Sequence, residues 1–141
     1  MAETTLATLH HLVDKRFVGT VPSGQQVLID GTKEHPLGMG PMQLVLNAWG
    51  GCVAYDVVEM IKKRRVTINS YRVELEGDRS DGVPAFYTKL RQKHIIDAPG
   101  LDQKTFERFV ELAITKYCSV GSSLSAEQSF TVELLHDAEA E

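Results

Sequence analysis

Apolar and polar positions divide this 141-residue chain into a strand-rich first third, a long apolar helix, a hairpin, more helix and a last strand. Residues 4–13 are rich in Thr, Leu and Val, and residues 17–21 continue the pattern. Pro22-Ser23-Gly24 and Asp30-Gly31 are turn signals on either side of residues 25–29, which predicts an antiparallel meander. Three breakers (Pro36, Gly38 and Gly40) make residues 33–40 a loop. Pro41 then suits a first helical position, where its missing N–H costs nothing. Met42, Val45, Leu46, Trp49, Cys52, Val53, Val57, Met60 and Ile61 follow at helical spacing. Leu44, Ala48 and Ala54 widen the apolar surface almost all round, so the helix is expected to be buried on most faces. In so short a chain that points to a second subunit. Gly50 and Gly51 each cost about 1 kcal/mol against alanine in a helix interior. Another backbone or helix in close approach would compensate.

Beyond the basic run Lys62-Lys63-Arg64-Arg65, read as a solvated helix end, residues 67–77 alternate through Tyr71, Val73 and Leu75. Residues 84–96 alternate through Phe86, Thr88, Leu90, Gln92, His94 and Ile96, completing a long hairpin. After the break at Ala98-Pro99-Gly100, Asp102 is a plausible N-cap. The helix it opens carries the core stripe Phe106, Phe109, Val110, Ala113, Ile114 and Tyr117, and Cys118 stands where that stripe ends. Residues 119–126 read as a short further helix, residues 129–136 as a final strand, and the acidic residues 137–141 as a frayed tail. Strands and helices fall in blocks, which predicts an α+β fold over a doubly wound sheet.

Length and composition narrow the classes. A chain of this size is expected to form a single domain, 1–141. With 43% hydrophobic and 24% charged residues it falls in the ordinary globular range. Its net charge of −4 gives no electrostatic reason to expect nucleic acid as a partner. The N-terminus lacks the basic and apolar regions of a secretory signal, so a cytoplasmic location is expected. The longest apolar stretch, residues 44–58, contains Asn47 and Asp56 and is too short for a bilayer of roughly 30 Å, so no membrane partner is expected.

In a cytoplasmic chain two cysteines point to catalysis or regulation rather than to stapling. Cys52 reads either as a small hydrophobe packed in an apolar helix or as a nucleophile. Asp56, one turn on, would oppose its ionisation, and a mid-helix position lacks the dipole of a helix N-terminus. A reactive Cys52 therefore needs an outside cation, with Arg16 and Lys15 as candidates. Cys118 lies at a helix junction, where backbone N–H groups favour a thiolate, and on these grounds it is at least as acidifiable as Cys52. The histidines (His10, His11, His35, His94 and His136) are scattered, and no paired ligand motif is present, so neither a metal nor a cofactor is expected. Glu74 and Glu76 share one strand face and read as a solvated pair.

Three stretches resemble the OsmC/Ohr family of thiol-dependent hydroperoxide reductases. The first is Gly40-Pro41-Met42-Gln43-Leu44-Val45-Leu46-Asn47-Ala48-Trp49-Gly50-Gly51-Cys52, similar to the family's proline-initiated central helix with its first cysteine. The second is Lys116-Tyr117-Cys118-Ser119-Val120, similar to the second-cysteine motif. The third runs from Phe17-Val18-Gly19-Thr20 through Ser23-Gly24 to Asp30-Gly31 and is similar to the opening meander. The resemblance implies an intertwined homodimer, with antiparallel sheets wrapped around long central helices and active sites at the subunit interface. It also implies roles: Cys52 attacks an organic hydroperoxide and becomes a sulfenic acid, and Cys118 resolves it to a disulfide that an external dithiol reduces. Arg16, or Lys15 one residue away, matches the arginine that keeps the attacking sulfur ionised.

One position departs from the pattern. The better characterised peroxidases of the family carry a glutamate directly after the helix-starting proline, where it orients the arginine, and Met42 stands there in this chain. This places the chain nearer the YhfA-like branch and implies a slow or narrow peroxidase, with Glu34 or Glu59 as possible substitutes for the glutamate. Two other readings keep the same fold: a non-enzymatic protein binding an apolar ligand, and a redox sensor using the Cys52–Cys118 pair.

Overall fold

Turn residues close the first strands where the sequence places them. In the computed structural model, which describes residues 2–136, β1 (Thr8–Val13), β2 (Arg16–Thr20) and β3 (Gln26–Asp30) form an antiparallel meander in that order. Asp14, with φ of 55°, turns the first hairpin, since aspartate tolerates the left-handed region better than most residues. The loop after β3 runs back beside it, and the Asp30 N–H donates to the Met39 carbonyl at 2.9 Å. The acidic residues 137–141 lie outside the described residues.

The chain divides into two compact units, Met1–Val45 and Leu46–Glu141. α1 (Pro41–Lys63) starts at the end of the first and runs on through the second. Its glycine pair does not interrupt it. Within the single chain, burial on α1 is confined to one face. Trp49, Val53, Val57 and Ile61 are fully buried, one position every four residues, while Tyr55 on another face is 72% exposed. Each fully buried side chain of this kind contributes roughly 1.5–3 kcal/mol, so the stripe fixes how the helix is rotated.

The surface receiving that stripe is the inner face of a three-stranded sheet. β4 (Ser70–Arg79) pairs with β5 (Tyr87–Asp97) in antiparallel fashion, as the hairpin pattern predicts. β6 (Glu127–Leu134) lies parallel to β5, so this sheet is mixed and not antiparallel throughout. The cause is the helical segment between β5 and β6, a crossover long enough to return the chain in the same direction. Glu74 and Glu76 point outward, paired with Arg72 and Arg91. Leu75 points inward toward α1. A Cβ on Gly50 would stand 2.7 Å from Leu75 Cδ1, so β4 of the same chain, not a second copy, explains this glycine. Gly51 faces open space.

α2 (Gln103–Leu112) begins at Asp102, whose carboxylate accepts from the Thr105 N–H at 2.7 Å, a cap worth about 1 kcal/mol. Phe106, Phe109, Val110 and Ala113 are buried as the stripe predicts. Tyr117 is not, at 50% exposed, because residues Ala113–Tyr117 wind as a π-helical turn. The wider turn carries position 117 off the stripe and ends with the Cys118 N–H donating to the Ala113 carbonyl at 2.9 Å. α3 (Ser119–Ser122) follows as a single turn. At 23 residues, with mean hydropathy 1.3 over its most apolar stretch, α1 does have the length and composition to cross a bilayer core of about 30 Å. Length alone therefore does not argue against a membrane.

Three polar side chains are buried beneath these helices. The Tyr71 hydroxyl donates to His94 Nδ1 at 2.6 Å, and His94 Nε2–H donates to Gln92 Oε1 at 2.6 Å, with the Phe106 ring edge-on to both rings. His94 has no exposed surface, and burial pulls its pKa from 6.5 down to about 4. Between these values the unfolded chain binds the proton and the folded one does not. Stability is therefore complete above pH 6.5 and is lost as pH falls toward 4, by up to about 3 kcal/mol. Urea unfolding at pH 7, 5 and 4 is expected to show this loss in the wild type and a flatter profile in His94→Gln. Parallel profiles would show that His94 is not the responsible group.

Candidate active site

Cys52 sits on α1 beside the buried stripe and is therefore half-buried, one flank on the core and the other open. The end of the π turn delivers Cys118, only 2% exposed, to the same place, and both thiols are free. The two side chains are close enough to affect each other's charge. The cysteines that the sequence separates by two helices and a hairpin are neighbours in the fold.

The surroundings of Cys118 decide its acidity. Burial pushes the thiol up to about 11, against the pull of the Gly121 N–H, which donates to Cys118 Sγ at 3.2 Å, and with a further push from the Cys52 side chain. This corrects the expectation that the helix junction would make Cys118 readily ionised. α3 is one turn long, and the gain from its N–H groups is smaller than the cost of burying a charge. Gly121 itself is confined. A Cβ there would stand 2.9 Å from Gln128 Oε1, 3.3 Å from Trp49 Nε1 and 3.4 Å from Cys118 Sγ. Gln128 bridges this corner, accepting from the Trp49 indole N–H at 3.0 Å and donating to the Gly121 carbonyl at 2.9 Å. Sequence reading missed Gln128, because a polar residue near the start of an alternating strand carries no signal of its own.

Arg16, the first residue of β2, belongs to the other unit and is firmly held there. Its Nε donates to Asp30 Oδ2 at 3.0 Å and its Nη2 to the His35 carbonyl at 3.1 Å. Asp30 is buried, and its carboxylate also accepts from the Thr32 hydroxyl at 2.6 Å, the Leu37 N–H at 2.6 Å and the Thr32 N–H at 2.9 Å. The Thr32 hydroxyl, then the Leu37 N–H, with smaller help from the Thr32 N–H and Arg16, hold that carboxyl well below the usual range. The carboxylate orienting Arg16 is thus Asp30, in place of the Glu34 or Glu59 considered above. Asp30-Gly31 had been legible only as a turn. Lys15 takes part through its backbone, its carbonyl accepting from the Gly31 N–H at 2.9 Å. Among the described residues no group of three or more His, Cys, Asp or Glu is placed to hold a metal ion.

An α+β chain with a mixed sheet under a long helix, and a thiol pair at the edge of that helix, defines a dithiol protein class. The family model described as OsmC-like protein matches residues 31–133. Protein YhfA of Escherichia coli K12 is 34% identical over 115 residues, covering 82% of this chain and 85% of that protein. The crystal structure of an OsmC-like protein from Mycoplasma pneumoniae superposes with a TM-score of 0.80 at 19% identity, covering 96% of this chain and 100% of the other. A structure from Legionella pneumophila, described as an organic hydroperoxide resistance protein OsmC and predicted redox protein, superposes at 0.62 with 14% identity, covering 95% and 98%. The chain belongs to the OsmC/Ohr family.

In a Cys52→Ser background, iodoacetamide is expected to label Cys118 slowly at pH 8, at a rate still climbing through pH 10. A plateau below pH 8 would mean that the Gly121 N–H outweighs burial after all.

Proposed function

We propose that the protein reduces organic hydroperoxides with its two thiols. The observation that carries this reading is the juxtaposition of a half-buried Cys52 with a buried Cys118 on an OsmC-like fold. The Cys52 thiolate attacks the outer peroxide oxygen, so that an S–O bond forms, the O–O bond breaks, and the leaving alkoxide takes up a proton as the alcohol. The Cys118 thiolate then attacks the sulfenic sulfur, so that the S–S bond forms, the S–O bond breaks, and the leaving hydroxide takes up a proton as water. An external dithiol returns both thiols. Arg16, held by Asp30, is the source of positive charge proposed for the Cys52 thiolate. A resolving thiol seldom ionised at neutral pH fits a slow enzyme.

A homodimer is part of the same proposal, each copy of residues 1–141 acting as one domain. α1 leaves Gly51 beside open space and Tyr55 exposed, and Leu9, Leu12, Val13 and Val27 of the meander are exposed apolar side chains. A second copy would cover such surface. Sedimentation is expected to give twice 15.6 kDa, and a monomer would remove the dimer from the proposal. The raised Cys118 pKa also favours a second reading, a redox sensor in which slow closure of the disulfide is the signal.

Cumene hydroperoxide added to the reduced protein is expected to join Cys52 to Cys118, as read by mass spectrometry with a thiol trap. Cys52→Ser should abolish peroxide consumption, Cys118→Ser should permit about one equivalent before over-oxidation, and Arg16→Gln should slow the first step at least tenfold. Two free thiols after peroxide treatment would sink the peroxidase reading, and oxidation without turnover on a dithiol would leave the sensor.

A further inference from the structure

We infer that Gln128 is the positioning residue that holds Cys118 against Cys52, an inference that rests on reading those two cysteines as a working pair. Cys118 lies between a π turn and a single turn of helix, and neither has the length to hold a side chain in place. Within the core, the sulfur accepts from the Gly121 N–H at 3.2 Å, and the Gly121 carbonyl is tied by the local Leu124 N–H and, from outside the turn, by Gln128. Both ends of the Gln128 amide are in use. Nε2 donates to the Gly121 carbonyl at 2.9 Å, and Oε1 accepts from the Trp49 indole at 3.0 Å.

Trp49 is fully buried on α1, three residues before Cys52 and so on a neighbouring part of the same helix surface. Gln128 therefore ties the peptide that carries the Cys118 contact to the helix that carries Cys52. Gln128 itself stands on β6, part of the mixed sheet, where the backbone is held by pairing with β5 at Leu90. The absence of a side chain at Gly121 lets the indole, the amide and the sulfur converge within 2.9–3.4 Å of one point. Removing the amide leaves the buried indole N–H without its partner and the Gly121 carbonyl with the Leu124 N–H alone, at 3.1 Å, and the turn is expected to shift. A sulfur displaced by about 1 Å has a much lower effective concentration toward its neighbour.

The test is the equilibrium of the full chain with glutathione, in which two protein thiols pass two electrons and two protons to glutathione disulfide. Its constant reads the effective concentration of Cys118 toward Cys52 and requires no peroxide, so failure of the peroxidase reading and failure of this inference are separate results. Gln128→Met, of similar length and without hydrogen bonds, is expected to lower that concentration at least tenfold. Val132→Ala, on the same strand and packed on the same core, serves as the control for stability and should stay within twofold. Trp49 is the single tryptophan, so its indole N–H resonance reports the contact directly and should move upfield in Gln128→Met. A Gln128→Met constant within twofold of wild type, an equal fall in Val132→Ala, or an unmoved indole resonance would each overturn the inference.

Discussion

The rotation of α1 is the constraint on which the second unit depends. Trp49, Val53, Val57 and Ile61 recur every four residues and are fully buried, so the helix can turn neither way without exposing one of them. That single fact sets Cys52 at the margin of the stripe, half-open rather than sealed. It also aims the Trp49 indole at β6 and sets Gly50 against Leu75. A side chain on Gly50 would lift the helix off β4, since Leu75 already occupies the space of a Cβ. The reactive geometry is in this sense a consequence of packing, decided by residues that carry no chemistry.

Elements with a strong period were legible from the residues. The helix from Pro41, the hairpin and the Asp102 cap follow from spacing and capping rules that act locally. Three features were not, for different physical reasons. The direction of β6 depends on the length of a crossover, which does not alter the alternation within the strand. The π turn breaks the period of α2 at its last residue, so Tyr117 reads as core and emerges exposed. Which face of α1 a single chain covers was not legible either, because composition counts apolar residues on every face, and this chain by itself covers one. The pairing of Cys52 with Cys118 was available only through resemblance, because no local rule relates positions 52 and 118.

Electrostatics sets the acidity of Cys118 in a way that its residue type does not reveal. A cysteine ahead of a helical turn, accepting an N–H at 3.2 Å, has the features that ordinarily favour a thiolate. Burial reverses the outcome, since at 2% exposure the charged form loses more to desolvation than the Gly121 and Val120 N–H groups return. The number of donors matters as much as their presence. Asp30 illustrates this from the other side, being equally buried yet held ionised by the Thr32 hydroxyl, two backbone N–H groups and a guanidinium. Four donors, one of them charged, keep Asp30 ionised, where the two N–H groups at Cys118 do not outweigh burial.

The Asp30–Arg16 pair also limits how Arg16 can act. An ion pair at 3.0 Å is close to neutral when viewed from a distance, so its field beyond the first few ångströms is that of a dipole. Arg16 can then favour a neighbouring anion only through N–H groups aimed at it, and orientation counts for more than charge. The arrangement in the first unit fixes the orientation of Arg16. Asp30 is locked by donors from Thr32 and Leu37, and the His35 carbonyl takes a second edge of the guanidinium, so the plane of Arg16 is set by two acceptors. A glutamate one residue into a helix is one way to orient such an arginine. In this chain a buried aspartate at the end of the neighbouring strand, registered directly opposite Arg16, holds the guanidinium through the sheet, while position 42 carries a methionine.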